Sequence, residues 1–313
     1  MMIIYEMKEG KPVATDSIKD NVWINLVNPS NDEIDQVQRA LQIDREALTA
    51  ALDDEEGSRT EVSSKYTLIL VDAPTREWRN NREEFTTYPL SITITDTAIV
   101  TVSLQEMFAL TFTGGKNKNI NTVNIDNRTR FMLQILFRIA MNYQADLKYI
   151  EVKRMAIEES IRKVTRRDDL FELHELESNL VYFKTSLSVN ASVIDRLSKL
   201  SRFVSSPEDR DLMDDVIIET NQALEMTMTY SQIIKGTRQL VEADLNNSLA
   251  NVMKFLTSIT LIISIPTMLA SFYGMNVDLP GTDYHYSYLI LLAAMVILCL
   301  VSIHHLRNRG LWR

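Results

Sequence analysis

Residues 255–277 read FLTSITLIISIPTMLASFYGMNV, a run without a single charged side chain. A second uncharged run, residues 286–303, follows after a short loop. A helix needs about 20 residues to cross a hydrocarbon core about 30 Å thick, so each run is long enough to span a membrane. Two spans joined by so short a loop form a helical hairpin, and both flanks of the hairpin then lie on the same side of the membrane.

The basic residues around the hairpin predict its orientation. Lys254 precedes the first run and three arginines follow the second, whereas the loop between the runs contains no Lys or Arg. Because cytoplasmic flanks carry the Lys/Arg excess, we expect a multi-pass protein of the cell membrane with both termini in the cytoplasm. Residues 1–4 are too short for the apolar core of a signal peptide, so none is expected. Cys299 is the single cysteine, which excludes a disulfide within the chain.

The charge of the chain bears on its partners. The net charge is −9, and residues 254–313 contain four basic and two acidic side chains, so the part before them is near −11. An acidic domain argues against nucleic acid as a partner, because phosphate binding needs basic patches. It suits divalent cations, although the solubility of a large domain is by itself the more common reason for an acidic surface. No nucleophile–base set or zinc-ligand spacing appears, so neither an enzyme nor an organic cofactor is expected.

The first part of the chain has the pattern of an α+β domain. Short runs rich in β-branched residues predict strands at 22–27, 66–71, 90–95 and 98–102. A helix is expected to begin near Pro29, because acidic residues at 32 and 33 would complement the dipole of its first turn. Gly114-Gly115-Lys116 is not a phosphate-binding loop, since the Walker pattern requires glycine where Leu110 stands.

The next part of the chain has a helical period. Apolar residues separated by steps of three and four predict two antiparallel helices on either side of a charged break at 166–169. The first seam comprises Leu133, Leu136, Ala140, Tyr143, Leu147, Ile150, Arg154, Ile157, Ile161 and Val164. The second comprises Leu173, Leu176, Leu180, Phe183, Leu187, Asn190, Ile194 and Leu197.

A third helix connects the soluble part to the membrane. Acidic residues after Pro207 are typical of a helix start, and no further proline occurs before Pro266 inside the first span. We therefore predict one helix over 208–273, about 100 Å long at 1.5 Å per residue. Its first 40 residues or so would act as a rigid stalk.

One face of the first span is small and polar along its whole length. Its members recur at steps of four and three, while most other residues of the span are Phe, Leu, Ile or Met. Such residues can pack closely against another helix, or their hydroxyls can bond to carbonyls one turn back. A water-filled pore lined by several copies of the helix explains a continuous stripe more directly and requires a homo-oligomer. The stripe comprises Asn246, Ala250, Met253, Thr257, Thr260, Ser264, Thr267, Ser271 and Gly274.

The end of the first span has features suited to a cation. Gly274 can end the helix in a left-handed conformation, so that the last carbonyls carry partial negative charge at the outer mouth. Asn276 adds amide oxygens just beyond. Because Mg²⁺ holds its waters tightly, neutral oxygens that contact the hydration shell could capture the ion without dehydrating it.

The tetrapeptide Tyr273-Gly274-Met275-Asn276 at this position resembles the CorA family of divalent-cation channels. Residues 23–26 before Asn28-Pro29, and residues 252–257 at the inner membrane face, are also similar to that family. The resemblance implies a homopentameric funnel with cytoplasmic α/β domains above long stalk helices, and Mg²⁺ as transported ion, with Co²⁺ or Ni²⁺ as further candidates. It implies a selectivity site at Gly274, Met275 and Asn276 and a pore face at Met253, Leu256, Thr260, Ser264 and Thr267, in which Leu256 takes the place of Thr257.

The resemblance also implies a regulatory Mg²⁺ site between subunits. Asp215, next to Asp214, aligns with the family's stalk carboxylate; the partner position aligns with Ala50, while Asp53 and Asp54 lie about one turn away. The chain departs from the family at Ala250, where an Asn is common, although Asn246, Asn247 and Asn251 are close enough in sequence to compensate. It departs again after the motif, where 277–281 read VDLPG.

Two other polar groups are not interpreted as sites. His304-His305 have no carboxylate or cysteine near them and are expected at the membrane interface. The cluster of Glu172, His174, Glu175 and Glu177 is expected to be solvated.

The sequence thus predicts an α+β cytoplasmic domain, long coiled-coil-like helices and a two-span C-terminal hairpin. The alternatives are a Zn²⁺ transporter of the same superfamily and a membrane-anchored coiled-coil scaffold. The expected divisions are an α/β domain (1–120), a helical hairpin (121–205), the stalk (206–253), the pore span (254–276), the outer loop (277–285), the second span (286–306) and a basic tail (307–313).

Overall fold

The computed structural model describes residues 1–9, 11–79, 82–111, 123, 125–163, 167–204, 206–276 and 285–308. The chain divides into two compact units, Met1–Thr237 and Arg238–Arg313. The Gly-Gly-Lys turn, nearly all of the predicted outer loop and most of the basic tail lie outside the described residues.

The first unit contains a seven-stranded sheet in the order β2-β1-β3-β7-β6-β5-β4. Strands β3 and β7 pair in parallel and the other neighbours pair antiparallel. The predicted runs all lie within strands, but three further strands, β1, β2 and β4, were not predicted. The strands are β1 (Met2–Lys8), β2 (Lys11–Thr15), β3 (Val22–Val27), β4 (Arg59–Val62), β5 (Tyr66–Arg79), β6 (Arg82–Thr95) and β7 (Ala98–Ser103).

Strands β5 and β6 are much longer than their predicted apolar runs. They pair continuously from Tyr66–Thr95 to Arg79–Arg82. Strand β7 pairs with β6 only at residues 90–94 of β6, and β4 pairs with β5 only at residues 67–70 of β5. The remaining part of the hairpin is a two-stranded ribbon of mixed polar composition, which is why apolar patterning did not predict it.

Both faces of the sheet are covered by helices. Successive side chains of a strand point to opposite faces, so Leu68 and Leu70 face one layer while Ile69 and Val71 face the other, and all four are fully buried. The first layer contains α1 (Asn31–Leu41), α2 (Arg45–Thr49) and the 3₁₀ turn Ala50–Leu52. Helix α1 starts where it was predicted, because Ser30 and Glu33 form a reciprocal capping box.

The second layer is formed by α3 (Arg128–Lys163) and α4 (Arg167–Ser198). Every described member of the two predicted seams is buried, which confirms the helical hairpin. The polar members are bonded: Arg154 pairs with Glu151 at 2.8 Å and with Glu158. Asn190 bonds the backbone of Asp72 in both directions, at 2.8 and 2.9 Å, and so fastens α4 to β5.

Helix α5 (Pro207–Tyr273) is continuous and agrees with the predicted third helix to within a residue. Helix α6 (Ser287–Asn308) contains the second uncharged run except for its first residue, Tyr286. Both helices are long and apolar enough to cross a membrane, judged by length and composition.

Candidate ion-conduction site

The first span has two different faces in the second unit. Each member of the polar stripe, from Asn246 to Gly274, is exposed, as are Leu256, Asn247 and Asn251. Ser258 is buried, and the residues on the same side of the helix are half-buried. They are Ile262, Ile265, Pro266 and Leu269. The stripe therefore does not pack on α6. Its side chains can contact water or another copy of the chain.

Three hydroxyls of the stripe bond within the helix. Thr260 donates to the carbonyl of Leu256 at 2.9 Å, Ser264 to Leu261 at 2.8 Å, and Thr267 to Ile263 at 2.9 Å. These three hydroxyls therefore do bond to carbonyls about one turn back in the helix, as in the alternative to a pore lining given above. This bonding does not remove their polarity, because each hydroxyl oxygen keeps its lone pairs for a donor such as the water around a cation.

The half-buried face of the first span is matched by one on α6. Its half-buried residues recur at helical spacing and include Leu291, Ala294, Cys299, Ser302 and Leu306. The Cys299 Sγ lies 3.8 Å from the carbonyl oxygen of Ile262. This is the carbonyl that Pro266 leaves without its helical N–H partner, since proline has no amide hydrogen. Cys299 therefore offers a weak thiol donor to a carbonyl freed inside the span.

Sequence reasoning did not find the contact between Cys299 and Ile262. Pro266 marks the freed carbonyl in the sequence, but which residue of the other span reaches it depends on how the two helices pack.

The first span ends without the left-handed residue that we expected. Gly274 has no φ in the left-handed region, so that expectation was wrong. Its N–H instead continues the helix by bonding Ala270 O at 2.9 Å, and Met275 N–H bonds Phe272 O at 3.2 Å. A Cβ at Gly274 would lie 3.2 Å from the Ala270 oxygen, a tight contact. Gly274, Met275 and Asn276 are all exposed.

The acidic residues predicted to regulate the channel are exposed in the first unit. Asp214 and Asp215 lie on α5 between the buried Met213 and Val216, so their side chains point away from the core. Asp53 and Asp54 follow the 3₁₀ turn that contains the buried Ala50, and Asp53 accepts a bond from Glu55 N–H at 3.1 Å. Within the described part of one chain, no three His, Cys, Asp or Glu residues come together to hold a metal ion.

The His304-His305 pair and the cluster around His174, which were not interpreted as sites, show no sign of metal binding among the described residues. His304 and His305 are exposed on α6, and His304 Nε2 lies 3.1 Å from Asn308 Nδ2. The cluster around His174 lies on α4, where the His174 carbonyl accepts a bond from Ser178. Neither group gains a metal-ligand arrangement among the described residues.

The solved structures that resemble this chain have the same fold. The complete structure of the CorA magnesium transporter from Methanocaldococcus jannaschii matches with a TM-score of 0.84 at 22% identity, over 100% of this chain and 99% of that one. The ZntB cytoplasmic domain from Vibrio parahaemolyticus matches with a TM-score of 0.60 at 11% identity, over 78% of this chain and 98% of that domain. The first match includes both C-terminal helices, and it bears out the predicted fold class.

The sequence comparisons point the same way. The cobalt/magnesium transport protein CorA of Methanocaldococcus jannaschii is 26% identical over 295 residues, which cover 92% of this chain and 90% of that protein. The family model described as CorA-like Mg²⁺ transporter protein matches residues 19–307. Because this match includes β3 to β7 of the sheet, the helical hairpin and both spans, the chain belongs to the CorA family.

Proposed function

We propose that this protein is a channel for Mg²⁺ influx, with Co²⁺ or Ni²⁺ as further candidate ions. The observation that carries the proposal is the exposed polar stripe on the first span, which ends at Gly274-Met275-Asn276 in a member of the CorA family. The names of the relatives, magnesium and cobalt/magnesium transport proteins, support the choice of ion.

The proposed pore is formed by five copies of the chain. One helix cannot enclose a pore, and the exposure of the whole stripe in a single chain is consistent with a surface completed by other copies. In this arrangement Thr257, Thr260, Ser264, Thr267 and Ser271 line the membrane part of the pore. Asn246, Ala250, Met253 and Leu256 line its inner end. The exposed Gly274, Met275 and Asn276 form the outer selectivity site.

Conduction needs no energy source beyond the membrane potential. Two positive charges moving inward at −100 mV gain about 4.6 kcal/mol. The stripe contains no carboxylate, and weak neutral sites suit an ion that must leave as well as enter. With both termini in the cytoplasm, the motif at the end of the first span meets the ion on the outer side.

We further propose that cytoplasmic Mg²⁺ regulates the channel. Asp214 and Asp215 of one copy would face Asp53 and Asp54 of the next, and a divalent cation between them would relieve the repulsion of the carboxylates. The exposure of all four side chains suits ligands from two subunits. Loss of the ion would let the subunits shift, and α5 would carry the motion to Met253 and Leu256.

Metal flux into proteoliposomes tests the transported ion. The protein is reconstituted and uptake of Mg²⁺, Co²⁺, Ni²⁺ and Zn²⁺ is measured under an inside-negative potential. Preference for Mg²⁺ supports the proposal, and Zn²⁺ flux without Mg²⁺ flux supports the alternative of a Zn²⁺ transporter. That alternative has the weaker support, since the ZntB match is confined to a cytoplasmic domain.

The mass of the assembly in detergent tests the remaining alternative. Five chains of 36.0 kDa differ clearly from the dimer that a coiled-coil scaffold would need. A scaffold would also show no flux of any of the four metals.

A further inference from the structure

A cavity of about 540 Å³ lies in the first unit between β5, α3 and the loop that follows β7. Its lining includes Pro74, Gln105, Glu106, Phe108 and Asp146. None of these residues belongs to the proposed pore or to the proposed regulatory site. The volume is in the range of small-molecule sites in proteins.

The buried end of the cavity holds a carboxylate that is bonded through one oxygen only. Asp146 is 7% exposed, and both of its bonds from Arg76, at 2.8 Å from Nε and 2.7 Å from Nη2, reach Oδ1. Oδ2 has no hydrogen bond from any residue that the structure describes. Burial raises the pKa of Asp146 even though Arg76 opposes the shift, so the arginine leaves the charge of the carboxylate partly uncompensated.

The arginine beside Asp146 is already engaged by other groups. Its guanidinium lies 4.9 Å from the centre of the Tyr149 ring and 5.5 Å from that of Phe85. Glu83 lies 3.6 Å from its Nη1. With Glu106 exposed at the rim, and forming no ion pair among the described residues, the surroundings of the cavity carry a net negative charge.

Among the described residues, most of the polar atoms left free in the cavity are hydrogen-bond acceptors. The Gln105 amide donates to Thr75 Oγ1 at 3.3 Å, and its Oε1 has no bond from the residues that the structure describes. In the orientation that satisfies both groups, the Asn142 amide accepts from Ala109 N–H at 3.2 Å and donates to the Arg138 carbonyl at 3.3 Å. In the described part of the chain, the acceptors that remain are Asp146 Oδ2, Gln105 Oε1 and the Glu106 carboxylate, and the donors that remain are those on Nη1 of Arg76, which also lines the cavity. The carboxylates of Glu83, Glu106 and Asp146 outnumber the single guanidinium of Arg76, so a cation that brings donors is favoured over an anion.

The rest of the lining is apolar. The Phe108 side chain is 71% exposed at the cavity, beside Pro74 and Ala145. An exposed ring face attracts a cation electrostatically and packs against carbon atoms, whereas a fully hydrated metal ion gains nothing from Pro74 or Ala145. We propose that this cavity binds a small organic cation, an amine with an apolar body, whose ammonium group donates to Asp146 while the body packs on Phe108.

The test compares three probes that differ only in one polar group: 2-phenylethylamine, 2-phenylethanol and phenylacetate. Binding to the full chain in nanodiscs is followed by saturation-transfer NMR in the presence of NaCl. We expect the amine to bind at least about tenfold more tightly than the alcohol, and phenylacetate not to bind. Equal binding of the amine and the alcohol, or tighter binding of phenylacetate, would overturn the proposal.

Variants locate the binding. Phe108→Ala and Glu106→Gln each remove a group without described bonds, so folding should be unaffected, and each should weaken amine binding about threefold. The matched controls Phe171→Ala and Glu46→Gln lie elsewhere on exposed helix surfaces and should bind as the wild type does. Unchanged binding by the Phe108→Ala, Glu106→Gln double variant would show that the amine binds elsewhere. Displacement of the amine by an equimolar amount of MgCl₂ would identify a metal site instead and would also overturn the proposal.

Discussion

Asn276 is exposed two residues beyond Gly274, where the first span has just ended. In the proposed pentamer, five such side chains would form a ring of amide oxygens at the outer mouth. Amide oxygens can accept from the water molecules around Mg²⁺ without removing them. The ring would therefore act as the first binding site that an entering ion meets.

Asn276→Ala should leave assembly intact and reduce Mg²⁺ uptake by about tenfold or more, since a rise of about 1.4 kcal/mol in the barrier has that effect. Uptake into proteoliposomes and mass in detergent are measured together. Asn308→Ala, at the end of α6, is the matched control and should transport normally. Wild-type uptake by a correctly assembled Asn276→Ala protein would remove this residue from the selectivity role.

Asp215 is proposed to act in the regulation of the channel and not in conduction. Asp215→Asn should weaken inhibition by internal Mg²⁺ and preserve conduction, because the carboxylate is proposed to hold the regulatory ion and not the conducted one. Currents are recorded over a range of internal Mg²⁺ concentrations. Asp211→Asn, about one turn earlier on α5 and also exposed, is the control. An inhibition curve that Asp215→Asn leaves unchanged would mean that gating resides elsewhere.

One polar contact joins the two membrane helices α5 and α6. Pro266 frees the Ile262 carbonyl in α5, and Cys299 in α6 lies 3.8 Å from it. Cys299→Val should destabilise the hairpin by about 0.5–1 kcal/mol, because a valine of similar size offers no donor. Cys299→Ser keeps a donor and should remain closer to the wild type. Thermal unfolding in detergent compares the two, and equal stability would show that the thiol contact contributes nothing.

Strand β5 and helix α4 are joined by a second polar contact. The Asp72 backbone is bonded by Asn190, and the Asp72 carboxyl interacts with Ser58 and Ser186. Burial raises the pKa of this carboxyl above its usual value, although the two serines oppose the shift. The folded protein thus binds the proton more tightly than the unfolded chain does. Ionisation of Asp72 therefore lowers stability as the pH rises from the usual aspartate range through the raised pKa.

Asp72→Asn should accordingly stabilise the protein at pH 7, since it removes the buried charge and keeps groups that can bond both serines. The gain should shrink as the pH falls toward 4, because protonation then removes much of the charge of the aspartate in the folded state and part of it in the unfolded chain. Unfolding of the full chain between pH 4 and pH 8 measures this. Destabilisation by Asp72→Asn at pH 7 would contradict it, and Asp211→Asn is the control at an exposed position.

At the scale of the whole molecule, the direction of transport depends on topology. The Lys/Arg asymmetry predicts both termini in the cytoplasm, which would place the motif after Tyr273 at the outer surface. Reporter fusions at each terminus, read out in intact cells, should both report the cytoplasm. An external C-terminus would overturn the hairpin topology and the proposed order of sites along the pore.

The sequence by itself determined the features that repeat with a helical period. The two seams of α3 and α4, the continuous helix α5 and the apolar runs of the hairpin were all predictable, because burial in a core or in lipid imposes a regular spacing of apolar residues. The polar stripe from Asn246 to Gly274 follows from the same spacing. The family motif is local and could be identified from four residues together with their position at the end of the first of two terminal spans.

Only the tertiary structure shows the features that depend on contacts between residues far apart in sequence. Strands β1, β2 and β4 are held by pairing with neighbours, and the β5–β6 ribbon packs its polar residues on α3, as Arg76 does with Asp146. The proximity of Cys299 to Ile262 likewise depends on how two helices meet. The left-handed conformation expected at Gly274 is absent, because the Gly274 N–H donates to the Ala270 carbonyl as in a continuing helix. Spacing along the chain specifies which side of an element is buried, whereas the partner on that side is set by contacts between residues far apart in sequence.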